Sequence, residues 1–334
     1  MLLVLVATLF ITVILLNSTF DNLQKEAIIN QVNEEVNQGT LKFENADERS
    51  SYKDKQIQLR FKASGLDQDS LNPSKLIPRI ISVMTFDLGK SHFFTTDYGS
   101  SNVRDIIFEK VPKTLLLFTT ATICAFVIGI FLGTYVAGKE RSWWDKFNSI
   151  FAIFSNSFPS WWIAMLMILL FAFALHIFPA RATPLSSPSD PTYIVDLLYH
   201  MALPLITLII VSFGGVAYIV RYFLINILNE DFIHAKRTIG ISPRKILYSH
   251  ALRNAGPPIA TAVGLALAAS FGGAIILEAV FDWPGMGKLY YDAIGQFDVP
   301  IIIGLTFIST VIFLVTIFIT DISYTLLDPR VKGN

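Results

Sequence analysis

The residues of this chain that could carry chemistry are concentrated in one polar stretch, 229–254, which lies between apolar runs. It contains His234 and His250, but neither they nor His200 show a ligand spacing such as H-E-x-x-H, so the sequence predicts no metal site. No glycine loop of the G-x-x-x-x-G-K-[ST] type is present to cradle a nucleotide phosphate. Acids, histidines and serines are otherwise scattered, so the sequence predicts no catalytic or cofactor-binding residue.

The first part of stretch 229–254 is predicted to form a short helix. Asn229 is a candidate cap for it, and Glu230 and Asp231 stand where the positive end of the helix dipole favours anions. At about nine residues, the helix is too short to cross a bilayer, yet it carries apolar positions suited to packing beneath a partner. These positions are Phe232, Ile233, Ala235 and Ile239.

A glycine separates this helix from a second one. Gly240 can supply the left-handed residue that ends the first helix, after which Ser242 caps the second with Pro243 at its first position. Arg244 and Lys245 then fall in a first turn, where the dipole disfavours cations, so lipid phosphate or an acidic partner is expected to compensate them. On spacing alone, an ordinary juxtamembrane loop and a docking element for a partner protein are equally compatible.

The elements on either side of this stretch are predicted to be membrane-spanning helices. The chain is 53% hydrophobic and 16% charged with a mean hydropathy of +0.54, which is typical of a protein dissolved in lipid. Its formal net charge is +0, so the composition indicates no nucleic-acid partner. A hydrocarbon core about 30 Å thick needs roughly 20 apolar residues of helix. Six stretches approach or reach this length: 1–16, 115–136, 161–178, 201–220, 259–280 and 301–320.

The distribution of Lys and Arg predicts the orientation of these helices. Connections rich in basic residues alternate with connections that hold one each. The rich ones are 137–149, 221–258 and the tail after 320, and the poor ones are 179–200 and 281–300. The rich connections are therefore predicted to be cytoplasmic, with both termini on that side. Segment 18–110 is also rich in Lys and Arg, but long translocated regions escape this rule, so it is predicted to be external.

Three regions follow from this topology: helix 1–17, the external segment 18–110, and a core of five helices over 111–334. The first region lacks a basic start and an A-x-A-like cleavage site, which favours a retained helix over a cleaved signal peptide. In the external segment, residues 76–84 can form an amphipathic piece that lies on the membrane or covers an outer mouth. A solvated loop with a few helices is the alternative.

Few charges occur inside the predicted spans, which argues against a proton relay or a voltage sensor. Glu278 is the exception, close to the outer end of the fifth span. An acid inside a span is a functional candidate by default, so Glu278 is predicted to act in one of two ways. It is either a structural acid that ties down the loop at Trp283 or a gate that contacts a solute.

Small residues recur in two of the spans. Gly264, Ala268 and Gly272 follow one another every four residues in the fifth span, so one face of this helix permits close approach of another backbone. Gly129 and Gly133 give the same signal more weakly in the second span. The prediction is a packing seam in the fifth span rather than a pore lining.

Several short motifs stand in a recognisable order along the chain. The acidic start at Glu230, then Ala235, then Gly240 five residues later, resembles the EAA loop of binding-protein-dependent ABC transporter permeases. Further segments resemble the dipeptide, oligopeptide and nickel permease family, in its first-subunit branch. They are Gly65-Leu-Asp, Phe86-Asp-Leu-Gly-Lys-Ser91, Val111-Pro-Lys-Thr-Leu115, Ser157-Phe-Pro-Ser-Trp-Trp162, His250-Ala-Leu-Arg-Asn254, the run from Gly272 to Gly287, Asp292-Ala-Ile294 and Leu326-Leu-Asp-Pro-Arg330.

This resemblance implies an all-α integral membrane protein with six transmembrane helices in the type I ABC importer permease fold. It also implies partners: a second homologous permease subunit, two cytoplasmic ATPase subunits that hydrolyse the ATP, and an external substrate-binding protein. The helix from about Asp231 to Ile239 would be the coupling helix, seated in a groove of one ATPase. The residues expected at that contact are Glu230, Asp231, Phe232, Ala235, Ile239 and Gly240.

The expected function is therefore one half of a translocation pathway in the cell membrane, with peptides as the expected solutes. Oligosaccharides and nickel complexes are alternatives, because similar permeases import them and selectivity usually rests with the separate binding protein. A stand-alone secondary transporter would predict inverted repeats or broken, charged helices in corresponding halves, and the sequence shows neither. A membrane-embedded enzyme would need convergent reactive groups at one depth.

Overall fold

The computed structural model of the chain describes residues 2–37, 45–63, 66, 72–91 and 93–327. This part is helical, with one isolated antiparallel bridge between Lys90 and Asn102. The helices are α1 (Leu2–Asn37), α2 (Ala46–Ala63), α3 (Pro73–Met84), α4 (Val103–Ala137), α5 (Trp143–Ser157), α6 (Ser160–Met167), α7 (Tyr193–Leu228), α8 (Asp231–Thr238), α9 (Pro243–Lys245), α10 (Leu252–Asn254), α11 (Gly256–Ser270), α12 (Ile275–Phe281), α13 (Met286–Gly295) and α14 (Val299–Leu327). Ile168–Ala174 and Ile246–Ala251 are π-helical turns that continue α6 and α9.

The membrane-spanning elements in the described part number three, or five if each bent pair of helices counts as one span. The straight ones are Val103–Ala137, Tyr193–Leu228 and Val299–Thr320. The bent pairs are α5 with α6 and its π-helical turn, at 100°, and α11 with α12, at 65°. At the predicted first span the structure has a shorter apolar piece, Leu5–Leu16, and α1 continues from it to Asn37.

Two predicted spans were wrong in their course. The span predicted at 259–280 breaks after Ser270, where Gly273 takes a φ of +64° between α11 and α12. The span predicted at 161–178 is preceded by α5, and the chain bends at Pro159, whose extended conformation cannot continue a helix. A count of apolar residues does not detect the break after Ser270, because the residues on both sides of it are apolar.

One compact unit is formed by Met1–Ile107 together with Asp292–Thr310. In it, α1 packs against α2 and α3, so much of the segment predicted to be external is helical. The buried Asp298 holds the backbone before α4 to the start of α14: Ser91 Oγ donates to its Oδ2 at 2.6 Å and Ile301 N to its Oδ1 at 3.4 Å. The amphipathic piece expected at 76–84 is α3, with Leu76 and Val83 buried and Ile77 and Ile81 more than half exposed.

The second unit is formed by Phe108–Tyr291 together with Val311–Asn334, and α7 is the common packing partner within it. Arg221 of α7 pairs with the buried Asp145 of α5, with Arg221 Nη2 donating to Asp145 Oδ2 at 2.8 Å. Arg221 was counted above as a loop cation, but its charge is neutralised inside the chain.

The packing seam predicted in the fifth span is not formed within the described part of the chain. A Cβ at Gly264 would meet only Thr320 Cγ2, at an ordinary 3.6 Å, and Gly272 lies in the break after the helix has ended. The close approach of two helices occurs instead at Gly129 and Gly133, where the sequence pattern was weaker. A Cβ at Gly129 would lie 2.5 Å from Val216 Cγ1, and one at Gly133 would lie 2.5 Å from the carbonyl oxygen of Ala217. Small residues allow α4 to lie against α7.

Two predicted features fall outside the described residues. The motif that begins at Gly65 is one, and the tail motif from Asp328 to Arg330 is the other. Lys332, which also supported the orientation, lies in the same tail. These features remain predictions from the sequence.

The different surroundings of Gly133 and Gly264 lead to a prediction about stability. Gly133→Ala should destabilise the protein by about 1–3 kcal/mol, because the new methyl group meets backbone that cannot move aside. Gly264→Ala is the matched control and should be neutral or slightly stabilising. Thermal unfolding of the detergent-purified variants measures both. Equal losses at the two positions would contradict the α4–α7 contact.

Candidate functional site

The loop that joins α7 to α11 begins with a two-residue connection, Asn229 and Glu230. α7 ends at Leu228 with Asn229 as its C-cap, and Glu230 takes the N-cap position of α8 in extended conformation. Asn229 was predicted to cap the short helix, and this was wrong because α7 continues up to that residue. Asp231 lies in the first turn of α8, where a carboxylate complements the dipole.

The hinge between the two arms of the loop has the predicted chemistry. Gly240 has a φ of +84°, a conformation that residues with a side chain rarely adopt. Ser242 is the N-cap of α9, and Pro243 follows at the first helical position. We refer to residues 243–254 as the return arm, since they lead back from the hinge to α11.

The short helix α8 presents a row of residues outward. Ile233 is 0% exposed and fixes the inner side of the helix. Phe232 is 36% exposed and Ile239 is 75% exposed, and both are large and apolar. The other residues predicted for the contact are also exposed: Glu230, Asp231, Ala235 and Gly240. The fold therefore leaves all six predicted contact residues accessible to a partner, and their contacts remain a prediction.

The return arm is packed onto the ends of the long helices. Its Leu247 and Ala251 are buried in one cluster with Ala137 at the end of α4 and Leu224 near the end of α7. The cluster continues to Ile259 of α11. A displacement of the return arm would therefore be felt by α4, α7 and α11 together.

Glu278 lies in the second bent pair and is enclosed, with 0% of the residue exposed. Its Oε2 accepts hydrogen bonds from Gly287 N at 2.9 Å and from Lys288 N at 3.3 Å. Thr114 Oγ1 donates to Glu278 Oε1 at 3.2 Å and accepts from Met286 N at 2.7 Å. The first N–H groups of α13, which have no partner within that helix, are thus bonded by the side chains of Glu278 and Thr114.

The surroundings of Glu278 leave no room for a solute. A Cβ at Gly273 would lie 2.7 Å from Glu278 Oε1, and one at Gly287 would lie 2.9 Å from its Cδ. Nearby, Trp283 is 0% exposed and its Nε1 donates to Lys113 O at 3.1 Å. These contacts favour the structural acid over the gate. Thr114 could not be predicted from the sequence as a partner of Glu278, because it lies 164 residues earlier and threonine is common in apolar helices.

The remaining titratable groups do not form a metal site. Within the residues that the structure describes, no group of three or more His, Cys, Asp or Glu side chains could hold a metal ion. His200 is buried in α7 and its Nδ1 lies 2.9 Å from the carbonyl oxygen of Asp196. His250 lies in the return arm and contacts Lys236 of α8, a contact that the sequence did not indicate.

Comparison with known proteins places this arrangement in a family. The family model described as "Binding-protein-dependent transport system inner membrane component" matches residues 126–333. The chain belongs to this family. Because the chain also has several helices long and apolar enough to cross a membrane, it is a multi-pass membrane protein of the permease type.

Relatives of this inner membrane component include two from Bacillus subtilis. The oligopeptide transport system permease protein AppB is 32% identical over 242 residues, which cover 71% of this chain and 76% of the relative. The dipeptide transport system permease protein DppB is 34% identical over 251 residues, covering 75% and 76%. A chain of the MetNI methionine ABC transporter, in an inward-facing conformation, is similar in fold, with a TM-score of 0.51, 17% identity and coverage of 67% of this chain and 96% of that one.

The Glu278 geometry gives a second prediction. Glu278→Ala should destabilise the loop at 282–287 by about 1–3 kcal/mol, since it leaves buried N–H groups of α13 without a partner. Thermal unfolding and limited proteolysis of that loop are the measurements. Glu140→Gln, a change at an exposed acid, is the control. A Glu278→Ala protein that is as stable as the parent and yet fails in transport would favour the gate.

Proposed function

We propose that this chain forms one half of the translocation pathway of an ATP-driven importer. It would work with a second homologous permease subunit, two cytoplasmic ATPase subunits that hydrolyse ATP, and an external substrate-binding protein. In the complete arrangement, the apolar piece Leu5–Leu16 would supply a sixth span to the three to five described, in a type I permease fold. Both termini would then face the cytoplasm, and segment 18–110 would lie outside. The similarity in fold to a chain of a methionine ABC transporter supports the proposed permease fold.

The observation that carries the proposal is the outward row on α8. A helix of eight residues is too short to be stable alone in water, so α8 exists because the rest of the chain holds its inner side at Ile233. Its outer side keeps Phe232, Ala235 and Ile239 exposed. Apolar residues held outward on a rigid element are suited to a groove in another protein. We assign this surface, with Glu230, Asp231 and Gly240, to the ATPase contact.

The packing of the return arm supports a mechanism for coupling. When the two ATPases close on ATP, α8 would move with the ATPase in which it is seated. The return arm would follow, since the same short loop carries both. Because Leu247 and Ala251 share a buried cluster with α4, α7 and α11, that movement would change the packing of three spans together. The pathway would then alternate between its outward and inward openings.

Peptides are the solutes that the relatives favour. The relatives described above are permeases for oligopeptides and for dipeptides. The described spans carry few charged groups that could select a solute, which is consistent with selection by a separate binding protein.

The coupling surface can be tested by purifying the tagged chain with its partners in mild detergent. Ala235→Arg should lower ATPase recovery, since a guanidinium in an apolar groove removes about 2 kcal/mol of binding, roughly thirtyfold in affinity. The variant chain should still insert in the membrane, because Ala235 is exposed. The measurements are the ATPase content of the purified complex and its solute-stimulated ATPase activity.

His234→Arg is the matched control, because His234 is exposed on the same helix but lies outside the apolar row of Phe232, Ala235 and Ile239. It should leave ATPase recovery close to that of the parent. Full recovery with Ala235→Arg would show that the contact lies elsewhere. Recovery of the chain alone, with transport that needs no ATP, would overturn the importer and favour a stand-alone secondary transporter.

Solute choice is tested by uptake in cells that lack this chain and regain it from a plasmid. Restored uptake of a labelled dipeptide or oligopeptide, abolished by Ala235→Arg, is the expected result. Uptake of a labelled oligosaccharide or of a nickel complex is measured in parallel. Restoration of either of these without restored peptide uptake would contradict the assignment of peptides and leave the importer mechanism in place.

A further inference from the structure

One polar contact joins α8 to the return arm. Lys236, in the last turn of α8, places its Nζ 3.1 Å from Nδ1 of His250 in the return arm. An ammonium group can only donate hydrogen bonds, so Nδ1 must be the acceptor. The His250 ring in this contact is therefore neutral and carries its proton on Nε2.

The other side of the His250 ring is enclosed. Its Nε2 is buried and has no hydrogen-bond partner among the described residues. His250 also lies in the π-helical turn Ile246–Ala251, and such turns are frequent at functional sites.

The other contacts that hold α8 to the chain are less directional. Ile233 is buried, but an apolar contact resists sliding only weakly. Arg237 Nη2 reaches the carbonyl oxygen of Leu228 at 3.4 Å, a long bond that leads back toward α7. The Lys236–His250 contact is the charge-assisted bond between α8 and the return arm, and such bonds are stronger than neutral ones.

We propose that His250 is a positioning residue for coupling, which accepts a hydrogen bond from Lys236 and so fixes α8 to the return arm, and that protonation of His250 opens this link. The inference rests on the proposed function of α8 as the ATPase contact. A cytoplasm that becomes acidic would then uncouple ATP hydrolysis from transport. The complex would remain assembled, because the outward row of α8 is unchanged.

The charges around His250 set the direction of this response. Burial, Lys236 and Lys245 lower the pKa of the His250 imidazole from its usual 6.5. The elements packed against its π-helical turn are α7, α8, α9 and α10. Their other charged groups and histidines are Asp231, His234 and Arg237 on α8, Arg244 on α9, Arg253 on α10, and Asp196, His200 and Arg221 on α7, which also carries Tyr193, Tyr199, Tyr218 and Tyr222.

The sign of the pH effect follows. A histidine whose pKa is lowered in the folded protein contributes its full stabilisation above the unfolded value of 6.5, and loses it as pH falls toward the lowered value. The link is therefore closed at neutral pH. Protonation removes the lone pair on Nδ1 and places two cations side by side, so the link opens only in acid.

The experiment uses the complete complex reconstituted in vesicles, with transported solute measured per ATP hydrolysed from about pH 7.5 to about pH 5. His250→Leu and Lys236→Met should each lower this ratio on the order of tenfold at neutral pH, the effect of losing one charge-assisted hydrogen bond. The double variant should be no worse than either single one.

His250→Asn separates positioning from general packing. Its amide oxygen can accept at the place of Nδ1 but does not titrate, so the ratio should be retained and its decline in acid should disappear. Lys245→Met should move the decline to higher pH, because Lys245 helps to lower the pKa of His250. His176→Asn, at an exposed histidine outside the loop, should leave the pH profile as in the parent.

The results for these variants distinguish a failure of the Lys236–His250 link from a failure of the proposed ATPase contact. If Ala235→Arg removes the ATPases but His250→Leu and Lys236→Met transport at the parental ratio, the link is overturned and the coupling surface stands. If Ala235→Arg also leaves the complex intact, the coupling surface itself fails. A parental acid decline in His250→Asn would overturn the pH response.

Discussion

The constraint on which the rest of this structure depends is the hydrogen bonding of backbone where an apolar helix is interrupted. An unbonded N–H or C=O in an apolar environment costs several kcal/mol, so a break in a span is tolerated only where other groups of the chain satisfy it. The turn into α13 meets this constraint through Glu278 and Thr114. At the break between α11 and α12, Phe271 N and Gly272 N donate instead to the last carbonyls of α11. Three glycines pack against the side chains at the turn, because a Cβ at any of them would clash with Glu278 or Thr114. The contacts of Glu278 are those of the structural acid that the sequence offered as one of two roles.

A second constraint is the close packing of long helices without a strong hydrophobic drive between them. In lipid, helices associate where small residues let backbones approach and where polar groups pair across the interface. Both devices converge on α7. Gly129 and Gly133 of α4 allow α7 to pack closely against that helix. Arg221 of α7 pairs with Asp145 of α5. The helix that leads into the loop 229–254 is therefore held on two sides, by α4 and by α5.

The loop that joins α7 to α11, proposed above to couple the chain to an ATPase, combines a buried base with an exposed helix. The return arm is buried against helix ends, whereas α8 touches the chain through Ile233 and a few polar bonds. This division suits a part that must bind another protein on one side and transmit its movement on the other. It also explains why two large apolar residues stand side by side in α8, since Phe232 lies on the outer surface and Ile233 on the inner one.

The sequence by itself determined the class of protein and the local chemistry of the loop. Long apolar runs require a membrane, and Gly240, Ser242 and Pro243 act through backbone geometry within a few residues, so α8, the hinge and the return arm could be predicted. Ordered motifs likewise led to the permease family, which the comparison confirmed. What only the tertiary structure decided depends on contacts between distant residues. The partner of Glu278 is 164 residues away, the partner of Asp145 is 76 away, and the close helix approach lies at Gly133 rather than at Gly264. Composition and periodicity describe one helix at a time, whereas these contacts depend on which helix faces which, and that choice is made by packing.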